Sequence, residues 1–303
     1  MFNSLFKTQL ITFLAIALAP STVYVAQETG TEEISVDASI VVLNAVVTNS
    51  DGDFRKDLGK SDFLLYEDGV RQTIDFVEPV SAPFAAVILL DVSGSMEQRV
   101  SLARSAAIRF LSGLRADDQV CIYSFNRKVE LVQDFSNSRD LKSRVFDLEA
   151  GGATSLNDAV YLAATVLKKR NENRRAIIVL SDGADNMSGR SSSKALKEAQ
   201  SANATVYTVD MSPIQSSQTG RRQNRAVLKN FAKKTGGLFV STPGGVELRM
   251  AFASIVAELG VQYTIGYQST NQTENGKWRD IELKSVTESL NIRTREGYFA
   301  RKR

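Results

Sequence analysis

The sequence predicts an α/β fold: a doubly wound, mostly parallel six-stranded sheet, inserted in or flanked by a small β-sandwich-like module. Three observations carry this. Two wholly apolar runs, Val87-Ile88-Leu89-Leu90 and Ala176 to Leu180, end beside an acid, as strands covered on both faces do. Segments with helical spacing of apolar residues separate the strand-like runs between residues 84 and 259. Outside those limits the period falls to two, and turn signals bound short alternating runs.

The chain has 303 residues, enough for about two domains. Residues 1–26 carry one charge, Lys7, ahead of the apolar run LITFLAIALA and a small-residue exit. That run is too short to cross about 30 Å of hydrocarbon, so the segment reads as a secretory signal peptide; an uncleaved N-terminal anchor is the alternative. No other segment is apolar enough to span a membrane, so none is expected in the mature chain. Residues 27–83 read as three or four strands: Val41, Leu43, Ala45 and Val47 alternate, Asp51-Gly52 turns, DFLLYE follows, and Ile74 and Phe76 close the set. Pro79 and Pro83 mark the boundary.

Within 84–259, the first strand leads into a helix on which Ala103, Ala107, Phe110, Leu111 and Leu114 share a face. Strands at 120–125 and 128–133 come next, then a helix near 138–148 and another carrying Leu156, Val160, Ala163 and Leu167. The strand 176–180 is followed by helix 192–202, strand 204–210, helix 222–234, strand 237–241 and a last helix, 244–259, stopped by Gly260. Residues 260–303 return to β, with Val261, Tyr263, Ile265 and Tyr267 alternating, Asn275-Gly276 as a turn, and strands at 278–284 and 290–294. Neither β piece is long enough for a good core, so 27–83 and 260–303 are expected to pack together.

The absence of histidine and the single cysteine exclude Ser-His-Asp and Cys-His nucleophile systems, histidine-ligated metals and an intrachain disulfide. Cys121 lies in an apolar strand and reads as a buried, inert thiol. A net charge of +3 without a long basic cluster gives no reason to expect a nucleic-acid partner. The Arg301-Lys302-Arg303 end reads as a solvated tail.

Chemistry concentrates where strands end. Asp91-Val92-Ser93-Gly94-Ser95 leaves the first central strand, Ser181-Asp182-Gly183 the other, and Gly151-Gly152-Ala153-Thr154-Ser155 opens a helix between them. In an open α/β sheet these loops emerge on one edge, where ligands bind. Two carboxylates and several hydroxyls form an oxygen-only set suited to a hard cation, Mg²⁺, Mn²⁺ or Ca²⁺, and not to Zn²⁺. Asp158 reads as a first-turn helix charge and Asp185 as a loop acid; neither is counted as a ligand. Arg221, Arg222 and Arg225 follow a long polar loop on the same edge, either facing an acidic partner or solvated at a helix start.

Asp91-x-Ser93-x-Ser95 with Thr154 and Asp182 resembles the metal-ion-dependent adhesion site of von Willebrand factor type A domains, over about residues 84–259. The resemblance implies strand order 3-2-1-4-5-6 with one antiparallel edge strand. It implies that Ser93 and Ser95 coordinate a cation directly, that Thr154 joins with ligand state, and that Asp91 and Asp182 act mainly through waters and hydrogen bonds. The flanks are also similar to a secreted acidobacterial VWFA-related family. The function expected is cation-dependent capture of a protein ligand whose exposed acidic residue completes the metal shell. A metal-supported scaffold subunit of a cell-envelope complex is the alternative. An enzyme is not expected, because no phosphate-binding Gly-rich loop with lysine is present.

Overall fold

A computed structural model describes residues 40–78, 82–140, 143–212, 218–241, 245–287 and 289–302. The expected signal peptide lies outside them. A six-stranded sheet is built from β5 (Phe84–Asp91), β6 (Gln119–Phe125), β7 (Val129–Ser136), β8 (Arg174–Ser181), β9 (Ala204–Asp210) and β10 (Phe239–Ser241). Their order is β10-β9-β8-β5-β6-β7, and only β7 runs antiparallel to its neighbour. Numbered within the sheet, this is the 3-2-1-4-5-6 order that the sequence resemblance implies.

Helices α1 (Val100–Ser112), α2 (Leu156–Leu167), α3 (Ser192–Ser201), α4 (Gln218–Thr235) and α5 (Gly245–Leu259) cover both faces. Residues of β5 show why its apolar run is unbroken. Phe84, Ala86, Ile88 and Leu90 join the core under α1 and α5, whereas Ala85, Val87 and Leu89 join the core under α2, α3 and α4. Every residue of the strand is buried, so strand periodicity vanishes from the sequence. Phe84, Phe110 and Phe252 tie β5 to α1 and α5 edge-to-face, with ring centroids 6.4 Å apart at each step.

The register fixes the business edge of the sheet. Leu90 pairs with Leu180 and Ser181 with Asp210, so the last residues of β5, β8 and β9 lie in one row. Every parallel strand ends there, and the loops that follow are neighbours by construction.

The remaining strands are β1 (Ile40–Thr48), β2 (Phe63–Glu67), β3 (Val70–Gln72) and β4 (Ile74–Glu78) before the α/β unit, and β11 (Tyr263–Gln268), β12 (Trp278–Ser285), β13 (Asn291–Thr294) and β14 (Gly297–Phe299) after it. They form two antiparallel sheets, β13-β1-β11-β4 and β14-β12-β2-β3. Each sheet mixes strands from both ends of the chain, and Leu43, Ala45, Phe63, Leu65, Tyr263, Ile265 and Leu283 share one core. Phe63 meets Tyr263 edge-to-face across that core at 5.7 Å.

One expected helix does not form. Residues 143–145 make a single 3₁₀ turn, and only Val145 of it is buried. Upstream, the side chains of Asn137 and Arg139 bond to the carbonyls of Ala116 and Leu114, and Ser138 Oγ accepts the Asp140 N–H. Such local bonds compete with helix formation. The strands β3 and β14 are each three residues long, too short for any pattern to announce.

Candidate metal centre at the sheet edge

Asp91 closes β5 with its side chain fully buried. Its Oδ1 accepts the Ser93 N–H at 2.9 Å and its Oδ2 accepts the Ser181 hydroxyl at 2.5 Å. Burial pushes the Asp91 carboxyl up to about 6; the two serines pull the other way, and the charge of Asp182 adds to the rise. Ser93 is buried and Ser95 exposed, with their hydroxyl oxygens 3.2 Å apart at the start of a 3₁₀ turn, Gly94–Met96.

The second loop is stitched to the first by backbone bonds. Gly94 N–H donates to the Gly152 carbonyl at 3.1 Å, and Gly151 N–H to the Val92 carbonyl at 2.8 Å. Gly152 takes φ +79°, a conformation that favours glycine. Thr154, 2% exposed, donates its N–H to Asn186 Oδ1 at 2.8 Å, and its carbonyl accepts from the N–H groups of Asn186 and Met187. Asp182, 7% exposed, accepts the Ala184 N–H at 3.0 Å. Three loops therefore close on one another: the first to the second through glycines, the second to the third through Thr154 and Asn186, the third to the first through Ser181.

All five expected ligand residues, Asp91, Ser93, Ser95, Thr154 and Asp182, lie on these joined loops. Asn186 and Ser181 complete the arrangement. Ser181 stands in the Ser-Asp-Gly motif, where its link to Asp91 needs the register to be seen. Asn186 carries no sequence signal. Asp158 pairs with Arg190 at 2.9 Å, and Asp185 accepts the Asn157 N–H and the Ser188 hydroxyl, each at 2.7 Å.

Of the three arginines expected near an acidic partner, Arg225 meets an acid of its own chain. Its Nε lies 3.1 Å from Asp210 Oδ2, and its guanidinium stacks over Phe239. Asp210 is buried and also bonded to Ser212 N–H and Ser241 Oγ, so it needs that countercharge. Arg222 is exposed and Arg221 half-buried on α4.

The donor set fits a hard cation. Among the described residues no three His, Cys, Asp or Glu side chains group as a metal site. What the loops offer is two carboxylates with three hydroxyls, an all-oxygen set. Asp91 fits best, because burial raises the cost of its negative charge and a cation would lower it.

The family model for the von Willebrand factor type A domain matches residues 86–184. The inter-alpha-trypsin inhibitor heavy chain H4 of Sus scrofa is 29% identical over 132 residues, covering 40% of this chain and 14% of the relative. An uncharacterized protein of Borreliella burgdorferi is 24% identical over 187 residues, covering 54% of each. The chain thus spans about half or less of these relatives' length. Among solved structures, a von Willebrand factor type A protein from Catenulispora acidiphila aligns with a TM-score of 0.49 at 13% identity, covering 82% of this chain and 76% of that one. Over residues 86–184, which run from β5 to the turn after β8, the chain is similar to von Willebrand factor type A domains.

Proposed function

We propose that this chain is an exported protein-binding protein that captures acidic partners through a divalent cation, with Mg²⁺ the first candidate and Mn²⁺ or Ca²⁺ the others. The observation that carries this reading is the convergence of Asp91, Ser93, Ser95, Thr154 and Asp182 on three mutually bonded loops at the carboxyl edge of the sheet. Ser93, Ser95 and Thr154 would supply neutral oxygens, and Asp91 and Asp182 the balancing charge. A bound cation supplies an electrophile to which a partner's carboxylate can bind. Few charges in the shell leave it that capacity.

Export is supported by the Lys7 and LITFLAIALA pattern of the first 26 residues and by the flanks' similarity to a secreted group. Among the described residues no helix is long and apolar enough to cross a membrane. We read the role as capture in preference to catalysis, because the sequence carries no phosphate-binding Gly-rich loop with lysine.

The test is calorimetric titration of the protein with Mg²⁺, Mn²⁺ and Ca²⁺, followed by pull-down from the native envelope in Mg²⁺ and then in chelator. Asp91→Ala should abolish both cation binding and chelator-sensitive capture. Partners retained by Asp91→Ala in chelator would instead identify the domain as a scaffold.

A further inference from the structure

A cation that the sequence does not single out lies against the metal loops. Arg127 sits in the turn between β6 and β7, and the turn is closed by the Asn126 N–H bond to the Lys128 carbonyl at 3.1 Å. Its own carbonyl accepts the hydroxyl of Ser155, the neighbour of Thr154, at 3.3 Å. The side chain then lies over Gly152. A Cβ placed on Gly152 would fall 3.2 Å from Arg127 Nε and 3.3 Å from its Cγ, so the missing side chain at 152 is the seat of the arginine stem. The carbonyl of that same glycine holds Gly94, the residue between Ser93 and Ser95. The arginine stem therefore rests on a residue bonded directly to the loop that carries Ser93 and Ser95.

Its head differs from those of two other arginines at this edge. Arg190 is taken by Asp158 and Arg225 by Asp210. Arg127 is exposed, and among the described residues its guanidinium has no hydrogen-bond or ion-pair partner. A stem fixed by packing and a head left open to solvent loses less freedom on binding than a free surface arginine. The planar fork matches a carboxylate in two parallel hydrogen bonds.

We propose that Arg127 is a specificity residue that receives a second carboxylate of the partner, so that the preferred ligand is an acidic polypeptide segment with two neighbouring acids. One acid addresses the cation and the other the Arg127 guanidinium. This rests on the cation-dependent reading above and adds to it a partner chemistry.

The experiment uses the whole protein and two sets of synthetic peptides. One set carries a single glutamate. The other carries a second glutamate one to four residues further on, with glutamine there as the control. Affinities are read by surface plasmon resonance in Mg²⁺, and Mg²⁺ binding separately by calorimetry. The expected result is that the best two-glutamate peptide binds about tenfold tighter than its glutamine control. Arg127→Gln should erase that preference while Mg²⁺ still binds, and Arg127→Lys should restore it only in part. Asp91→Ala should lose Mg²⁺ and both peptides. A preference that survives Arg127→Gln overturns the assignment of Arg127 and leaves the cation reading standing. Mg²⁺ binding without binding of either peptide set also overturns it. A wild-type protein that binds no divalent cation overturns the cation reading, and the Arg127 proposal with it.

Discussion

At the scale of single residues, Asp91 is held in place by two groups at very different distances along the chain. Ser93 lies two positions away and bonds through its own backbone. Ser181 is ninety positions away and reaches Asp91 only because the register of β5 with β8 puts their ends side by side. The Ser181 hydroxyl also accepts the Gly183 N–H at 3.0 Å, so one side chain orients the first carboxylate and the turn bearing the second. Ser181→Ala should therefore weaken Mg²⁺ binding by about 10- to 100-fold, the usual penalty for losing a group that orients a ligand, and calorimetry measures it directly. Asn186→Ala should act on Thr154 in the same way but leave Asp91 untouched. Asp91 and Ser93 were legible because strand ends before Asp-x-Ser-x-Ser can be read from one window. Asn186 was not, because its role depends on a loop folding back across Thr154.

Elements carry the next set of consequences. The turn after β8 is pressed against α4. Gly183 adopts φ +79°, and a Cβ there would lie 2.6 Å from the Asn224 carbonyl oxygen. Gly183→Ala should cost more than about 2 kcal/mol by combining backbone strain with a clash against main chain, visible as a lower denaturant midpoint. In the sandwich, Glu67 of β2 is buried and accepts hydrogen bonds from Tyr267 and Ser269, each at 2.6 Å, from Tyr298 at 2.9 Å and from Arg279 at 3.0 Å. Burial works to raise its pKa, but the hydroxyls of Ser269, Tyr267 and Tyr298 and the charge of Arg279 outweigh it, and the carboxyl is held below its ordinary value. A lowered carboxyl gives stability that is present above the unfolded value, about 4.3, and is lost as pH falls through the folded one. Glu67→Gln should flatten that acid limb in thermal unfolding measured across pH. The sequence shows Glu67 only as the last residue of DFLLYE, because its four partners all come from beyond residue 260.

Across the whole molecule, the α/β unit and the sandwich are joined by buried or half-buried charges. Arg174, at the start of β8, donates to the carbonyls of Ala82, Leu259 and Gln262, and so gathers the chain's entry into the α/β unit and its exit from it. Arg293 of β13 pairs with Glu258 of α5, which also accepts the Tyr207 hydroxyl at 2.6 Å. Lys234 of α4 pairs with Glu296, and Arg295 reaches Asn203 Oδ1 at 2.7 Å and the Val42 carbonyl at 2.9 Å. Residues 38–303 should therefore unfold in a single transition, with calorimetric and van't Hoff enthalpies agreeing. Arg174→Met should lower stability by about 3 kcal/mol, since three carbonyls lose a charged donor at once. Removing residues 260–303 should leave β1 and β4 without strand partners and β2 with β3 alone, and abolish the sandwich signal in circular dichroism.

Local order along the chain is enough to specify the α/β class, most of the sheet strands and the three loops rich in Asp, Ser and Thr, because each of these depends on a pattern within about a dozen residues. It also placed β pieces on both sides of the α/β unit. Folding in three dimensions sets how those pieces interleave, which hydroxyl orients Asp91, that Arg225 is spent on Asp210, and that Arg127 rests on Gly152. Those outcomes depend on strand register and on contacts between distant segments. A linear pattern of polar and apolar residues does not encode which of several equivalent neighbours a side chain will meet.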